Sequence, residues 1–225
     1  MLQNILRIAV PFLLPFLLGG CFEFIEDTSL NADGSGTYKI VLNMSASQTR
    51  LNSVMALDSL NGKKVPSEAE LKKEVQDFVS DLNKLEGISG ATATFSTDDW
   101  ILKFSCDFKS LDLLQNAITA MLKKEGNKNS LQTFLRVSYE SGIYSREIKE
   151  QIPDEWREKA VKDEDYNKLN SGKCVFIQRF EHPIKKTSKE SVRIAKNQKA
   201  CMLILTPDQI LRDPSILNYS VIIAD

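Results

Sequence analysis

Histidine is nearly missing from this chain of 225 residues: there is one, His182, directly before Pro183. A metal site needs several ligands at suitable spacing, and no Cys/His cluster accompanies it. No local Ser or Cys motif supports a nucleophilic triad either. His182 therefore reads as a surface residue at a strand end. Charge of one sign is also lacking. The net charge is −1, without the basic excess of a nucleic-acid binder. With 42% apolar and 26% charged residues, the chain is not of the disordered class. Seven prolines and ten glycines are too few for a collagen-like or low-complexity chain. There is no Gly-rich phosphate loop, no G-x-S-x-G elbow and no H-E-x-x-H. Long apolar runs are absent except for one, which excludes a polytopic membrane protein.

That run is at the N-terminus, MLQNILRIAVPFLLPFLLGG, followed by Cys21. Arg7 is its only charge. Ile8 to Leu18 is apolar throughout, a length that fits the hydrophobic stretch of a signal peptide. A membrane-spanning helix needs about 20 residues, and Pro11 and Pro15 would weaken one.

The segment closes on Leu18-Gly19-Gly20-Cys21, which resembles the lipobox of bacterial lipoprotein precursors. The resemblance covers residues 1–21. It implies cleavage between Gly20 and Cys21, a diacylglycerol on the Cys21 thiol, and a fatty acyl group such as palmitate on the new amino group. Two or three acyl chains suffice for stable anchoring, at about 0.8 kcal/mol per buried methylene. The partner so implied is membrane lipid, in a bacterial cell envelope. Phe22 rather than Asp after the cysteine leans to the outer membrane over retention at the inner one. Glu23, Glu26 and Asp27 are the acids that a surface-export signal of the Bacteroidota kind would use, which leaves surface exposure open.

The folded part begins almost at once. Phe22, Phe24 and Leu30 share one side of a first strand. Asn31-Ala-Asp-Gly-Ser-Gly36 is a turn by composition. Thr37–Ser45 then alternates, with Tyr38, Ile40, Leu42 and Met44 on one face. A helix is predicted over Ala46–Leu60, ended by Gly62. Ser67-Glu-Ala-Glu70 behind Pro66 fits a capping box opening a second helix, ended by Gly87. Ile88–Ser96 and Trp100–Lys109 form a hairpin, and Ser110 caps a third helix to Lys124. Past a break at 127–130, strands are predicted at 131–139, 174–180 and 219–224, with a short charged helix at 153–161. A hairpin joins 191–195 to 200–205, and Thr206-Pro207 caps a short helix. The class is α+β: mainly antiparallel sheet built from hairpins, with three to five helices largely on one face. Residues 1–20 form the signal peptide. Residues 21–126 and 127–225 form two α+β parts, which one continuous domain could also contain.

Candidate chemistry is sparse. Beyond Cys21, three cysteines allow one internal disulfide. Cys174 and Cys201, in two strands that could be neighbours, are the pair to expect, beside the alternative of three small buried thiols including Cys106. Asn31–Ser35 invites a calcium reading, but with Gly34 as the turn glycine of an EF-hand loop the first and twelfth ligands fall on Ser29 and Ile40. The turn reading is preferred, and no metal is expected. Residues 185–199 carry six bases against Glu190, read as a hairpin edge blunted against strand pairing rather than a lipid-binding patch.

Cys21-Phe-Glu, the 31–37 turn and Asp58-Ser-Leu-Asn-Gly62 to Val65-Pro66 also resemble uncharacterised lipoproteins of Bacteroidota. That group implies no activity and no catalytic residues. The reading reached is a lipid-anchored envelope protein with a non-enzymatic binding or assembly role, with other envelope proteins as partners. No cofactor is expected. One alternative is a carrier of lipid or another apolar ligand, lined by Trp100, Phe104, Phe108, Phe176 and Phe180. Another is an envelope hydrolase with a carboxylate pair that spacing does not reveal.

Overall fold

The computed structural model describes residues 22–60, 62–124, 135–149 and 171–224. The segment read as a signal peptide, Cys21, the break at 127–130 and the charged helix expected at 153–161 lie outside the described residues.

Alternation of apolar and polar residues dictates the first hairpin, β1 (Glu23–Leu30) with β2 (Gly36–Asn43). Gly34, at φ +83°, makes the turn, and Asn31 N–H closes it on the Ser35 carbonyl at 2.9 Å. A second hairpin, β5 (Ile88–Ser96) with β6 (Ile101–Phe108), adds to β2. So far the chain follows its local pattern.

One expected helix is shorter than its pattern predicts. The segment 46–60 divides into a 3-10 turn (Ser45–Ser47), helix α1 (Gln48–Met55), and a strand β3 (Ser59–Leu60) that pairs with β4 (Lys63–Lys64). Gly62 takes φ +76° between the two strands. The apolar spacing of Leu51, Val54, Met55 and Leu60 suits a helix. The hairpin signal Asn61-Gly62 suits a turn, and the turn wins beyond Met55. By contrast, α2 (Glu68–Leu82) starts where its capping box predicts. Ser67 Oγ accepts from Glu70 N–H at 3.2 Å, and Glu70 accepts from Ser67 N–H at 2.8 Å. Helix α3 (Leu111–Lys124) opens with Ser110 Oγ accepting from Leu113 N–H.

The C-terminal half supplies what the local pattern did not show. β7 (Leu135–Glu140) turns through Ser141 and Gly142, both at positive φ, into β8 (Ile143–Ile148), a strand the sequence reading did not predict. β9 (Lys173–Phe180) lies beside β1 and runs parallel to it. β10 (Ile184–Thr187), β11 (Arg193–Ile194) and β12 (Ala200–Leu205) follow. Helix α4 (Pro207–Arg212) has a capping box from Thr206 and Gln209, and β13 (Tyr219–Ile223) closes the chain.

The result is α+β. A seven-stranded sheet has the order β11-β12-β9-β1-β2-β6-β5, and a four-stranded sheet has the order β10-β13-β8-β7. Within the large sheet only the β1–β9 pair is parallel. Helices α2 and α3 and the small sheet share one face of the large sheet. Phe78 of α2 meets Phe104 of β6 edge-on at 5.9 Å, and Tyr144 of β8 meets Phe180 of β9 at the same separation. Gln115 of α3 ties the two covers together. It accepts from Val137 N–H at 2.9 Å and donates to the Val137 carbonyl at 2.6 Å, satisfying the free edge of β7. Strands from both sides of residues 127–130 thus share one sheet and one core cluster.

Candidate functional site

Two polar places stand out in this fold, one between the sheets and one at an end. The register builds the first. Cys201, Gln178, Thr28, Tyr38 and Cys106 form one inward row across five strands, and Leu203, Phe176, Glu26, Ile40 and Phe104 form the next. β8 and β13 lie over these rows. Arg146 of β8, 4% exposed, donates to Glu26 through both terminal nitrogens, at 2.5 and 3.4 Å. Its guanidinium carbon stands 4.5 Å from the centre of the Phe176 ring. Tyr219 O–H donates to Gln178 Oε1 at 2.6 Å, and the Cys201 thiol lies 3.7 Å from the same oxygen.

Burial governs the electrostatics here. It pushes the Arg146 pKa down, and the Glu26 carboxylate with Tyr144 and Tyr219 outweighs it, so the guanidinium stays firmly charged. Burial raises Tyr38, Tyr144 and Tyr219 above the ordinary phenol range. The Cys106 and Cys201 thiols are pushed up to about 12, and Cys174 to about 11, by the same cause. A thiol at such a value is protonated near neutral pH and is not a nucleophile. The cluster holds two layers together, with a compensated charge and neutral hydroxyls and thiols around it. Arg146 Nε and Gln178 Nε2 have no hydrogen-bond partner among the described residues.

The second place is an open cleft of about 460 Å³ between α1 and the β5–β6 turn, lined by Gln48, Asn52, Met55, Glu68, Asp98 and Trp100 among others. Trp100 sits at φ +55°, and its indole N–H donates to Asn52 Oδ1 at 2.7 Å. Gln48 donates to the Asp98 carbonyl. Hydrogen bonds from Lys72 and Thr97 hold the Glu68 carboxyl below the ordinary range, opposite to the rise a general acid needs. Met44, Leu51 and Trp100 form a small core beneath, with Phe22 and Met55 against it. This cleft offers amide and carboxylate side chains to a polar ligand.

The sequence candidates distribute as follows. Cys174 and Cys201 do lie in neighbouring strands, but Cys174 faces Leu205 and Cys201 faces Gln178. Four residues of offset, ~13 Å along the strand, are beyond the span of a disulfide. The expected bond is therefore corrected: Cys106, Cys174 and Cys201 are all free and buried. The three acids of the supposed export signal are occupied otherwise. Glu26 is buried against Arg146, Asp27 pairs with Arg179 at 2.8 Å, and Glu23 pairs with Lys173 at 3.2 Å. Asp33 is spent inside its own turn, accepting from Ser35 Oγ and N–H, which lower its pKa. Among the described residues no group of three or more His, Cys, Asp or Glu is placed to hold a metal ion. His182 is exposed in the loop between β9 and β10. Of the aromatic residues suggested as cavity lining, Trp100, Phe108, Phe176 and Phe180 are buried in the cores, and Phe104 packs on Phe78.

The pairing of a buried Glu26 with Arg146 escaped the sequence reading. The signal was present for Glu26: in Phe24-Ile-Glu26-Asp-Thr28-Ser-Leu30 it stands on the apolar side of the alternation.

Neither the family models nor the curated protein sequences gave a match to this chain. A solved structure similar to it is the folded domain of LppM from Mycobacterium tuberculosis, determined by NMR. The likeness covers 91% of each chain at 9% sequence identity and a TM-score of 0.41. At that level it is too loose to carry a function from one chain to the other.

Proposed function

We propose that this chain is a lipid-anchored protein of a bacterial cell envelope, with a non-enzymatic role in binding or assembly. One observation carries the reading: Leu18-Gly19-Gly20-Cys21 closes a short apolar run, and strand β1 begins two residues after Cys21. Phe22 packs against both cores and accepts from Lys173 N–H at 2.8 Å. Acyl chains on Cys21 would therefore tie a folded body to the bilayer without a spanning helix. Among the described residues, no helix is long and apolar enough to cross a membrane. The interior polar groups fit a binding or assembly role better than chemistry, since the charge there is compensated and the thiols stay protonated.

The test is expression of the full chain and its Cys21→Ala variant in a bacterium supplied with labelled palmitate. The parent is expected to take up label and to lose residues 1–20. The variant should remain an unlabelled precursor of full length. Equal labelling of the two proteins would overturn the anchor.

A further inference from the structure

The seven- and four-stranded sheets have four edges, and three are blunted. Gln115 occupies both main-chain groups of Val137 on β7. β11 is two residues long. β10 breaks its register between Ile184 and Lys186 and carries two lysines. The fourth edge is β5, nine residues without a charge. Asn83 closes its first part, accepting from Ala91 N–H at 2.9 Å and donating to the Ala91 carbonyl at 3.0 Å. Beyond Ala91 the phase of the ladder decides. Met44 N–H donates to the Trp100 carbonyl at 3.0 Å, so the pairs Leu42–Leu102 and Ile40–Phe104 exchange hydrogen bonds between β2 and β6. Their main-chain groups on β6 thus point away from β5. Phe95 and Ala93, which face Leu102 and Phe104, turn their own N–H and C=O groups outward. Among the described residues no strand pairs with that side.

Helix α2 runs along this edge. Thr97 hydrogen-bonds to the Glu68 carboxyl at one end, and Asn83 holds Ala91 at the other. Glu68, Lys72, Val75, Val79 and Asn83 follow one another at spacings of four and three, so they share one side of the helix, and that side borders the edge. Val75 and Val79, both half-buried, make its middle apolar. Past Thr97 the border opens into the cleft of about 460 Å³, with Gln48, Asn52, Glu68 and Asp98 in its lining. Two carboxylates and two amides there, with Lys72 paired to Glu68, suit a cationic side chain.

Edge, helix side and cleft form one track. We infer that the track binds an extended segment of another protein, added antiparallel to β5, with the pattern basic-x-apolar-x-apolar. The apolar residues lie opposite Phe95 and Ala93, beside Val75 and Val79. The basic residue lies opposite Thr97 and enters the cleft. A second copy of β5 fits less well: with Ala93 against Phe95 it brings Ala91 opposite Thr97, and the cleft receives no cation. Such docking is the binding role proposed above with its partner class named, and it rests on that role rather than on the anchor.

The test uses the mature, lipidated chain in detergent micelles, with the acyl mass on Cys21 measured separately. The probe is the synthetic peptide Gly-Lys-Thr-Val-Thr-Val-Thr-Gly, beside one N-methylated at both valines and one with Glu in place of Lys. The peptide is expected to slow amide exchange at Ala93 and Phe95. N-methylation should weaken binding by roughly tenfold, the worth of one or two hydrogen bonds. The Glu peptide should also bind more weakly, with the difference shrinking as salt is added. Ala93→Pro removes an outward N–H and spares the ladder to β6, so the variant should fold and bind more weakly. Unchanged exchange at Ala93 and Phe95 in millimolar peptide, or equal affinity for the N-methylated one, would overturn the docking and leave the anchor standing. Equal affinity for the Lys and Glu peptides would overturn the cleft as the seat of a cation. A dimer formed without peptide and dissolved by Ala93→Pro would overturn the foreign partner and give the edge to a second copy. Absence of acyl mass on Cys21 would count against the anchor alone.

Discussion

Glu26 and Arg146 come from strands 120 residues apart and meet between the two sheets. A buried ion pair is weak as a source of stability, but breaking one partner leaves an uncompensated buried charge. Glu26→Gln should therefore destabilise the fold by roughly 3–5 kcal/mol, read as a lower urea midpoint. The double change of Glu26 to Leu and Arg146 to Met should recover much of that loss, because an apolar pair needs no compensation. A single variant within 1 kcal/mol of the parent, by the size of the same effect, would show that the pair does not hold the layers. The cysteines make a separate prediction. Cys106 and Cys201 rise from 9.0 in the reference state to about 12 in the fold. The native state thus holds protons that the unfolded chain releases. Their contribution is complete below pH 9 and is lost as pH climbs towards 12. At pH 8 all three thiols should resist alkylation until denaturant unfolds the chain. Rapid native labelling of Cys106 or Cys201 would contradict the burial.

The elements differ in how openly the sequence states them. α2 was legible at its start and along its stripe, because its cap and spacing are local, but it ends at Leu82, short of the stop expected at Gly87. Replacing Ser67 by Ala removes the acceptor for Glu70 N–H and should cost about 1 kcal/mol, seen as a lower melting temperature. The box also has a pH signature. Hydrogen bonds from Lys64 and then from Ser67 hold the Glu70 carboxyl down to about 2. Its folded value lies below its unfolded one, so its contribution is present above about 4.5 and is lost as pH falls towards 2. Stability of the Glu70→Gln variant should accordingly change less than that of the parent over this window; parallel curves would remove the box as the cause. α1 was legible only in part, because a stripe extends past Met55 while the turn at Gly62 cuts it off. β8 was missed for a different reason. Its buried positions are Tyr144 and Arg146, and a charge at an inward position breaks the apolar alternation by which a strand is recognised.

At the scale of the molecule, the α+β class could be read from grouped helices and recurrent hairpins, since a hairpin is a local event. The join between the halves could not. β1 lies between β2, its neighbour in the chain, and β9, nearly 150 residues later and parallel to it. Such a pairing leaves no periodicity in either strand, and neither does the ion pair across the sheets. The join has a consequence for folding. Without residues 127–225, β1 becomes an open edge, Glu26 loses its partner, and the β1 side of the inward rows loses its cover. The fragment 21–126, in which Cys21 is replaced by Ser, should show no cooperative urea transition and should bind a hydrophobic dye. The same variant of 21–225 should unfold in one step. A fragment that unfolds cooperatively, with native chemical-shift dispersion, would establish two independent domains instead. The expected failure would follow from the topology, because each half of the chain completes the sheet and the charge balance of the other.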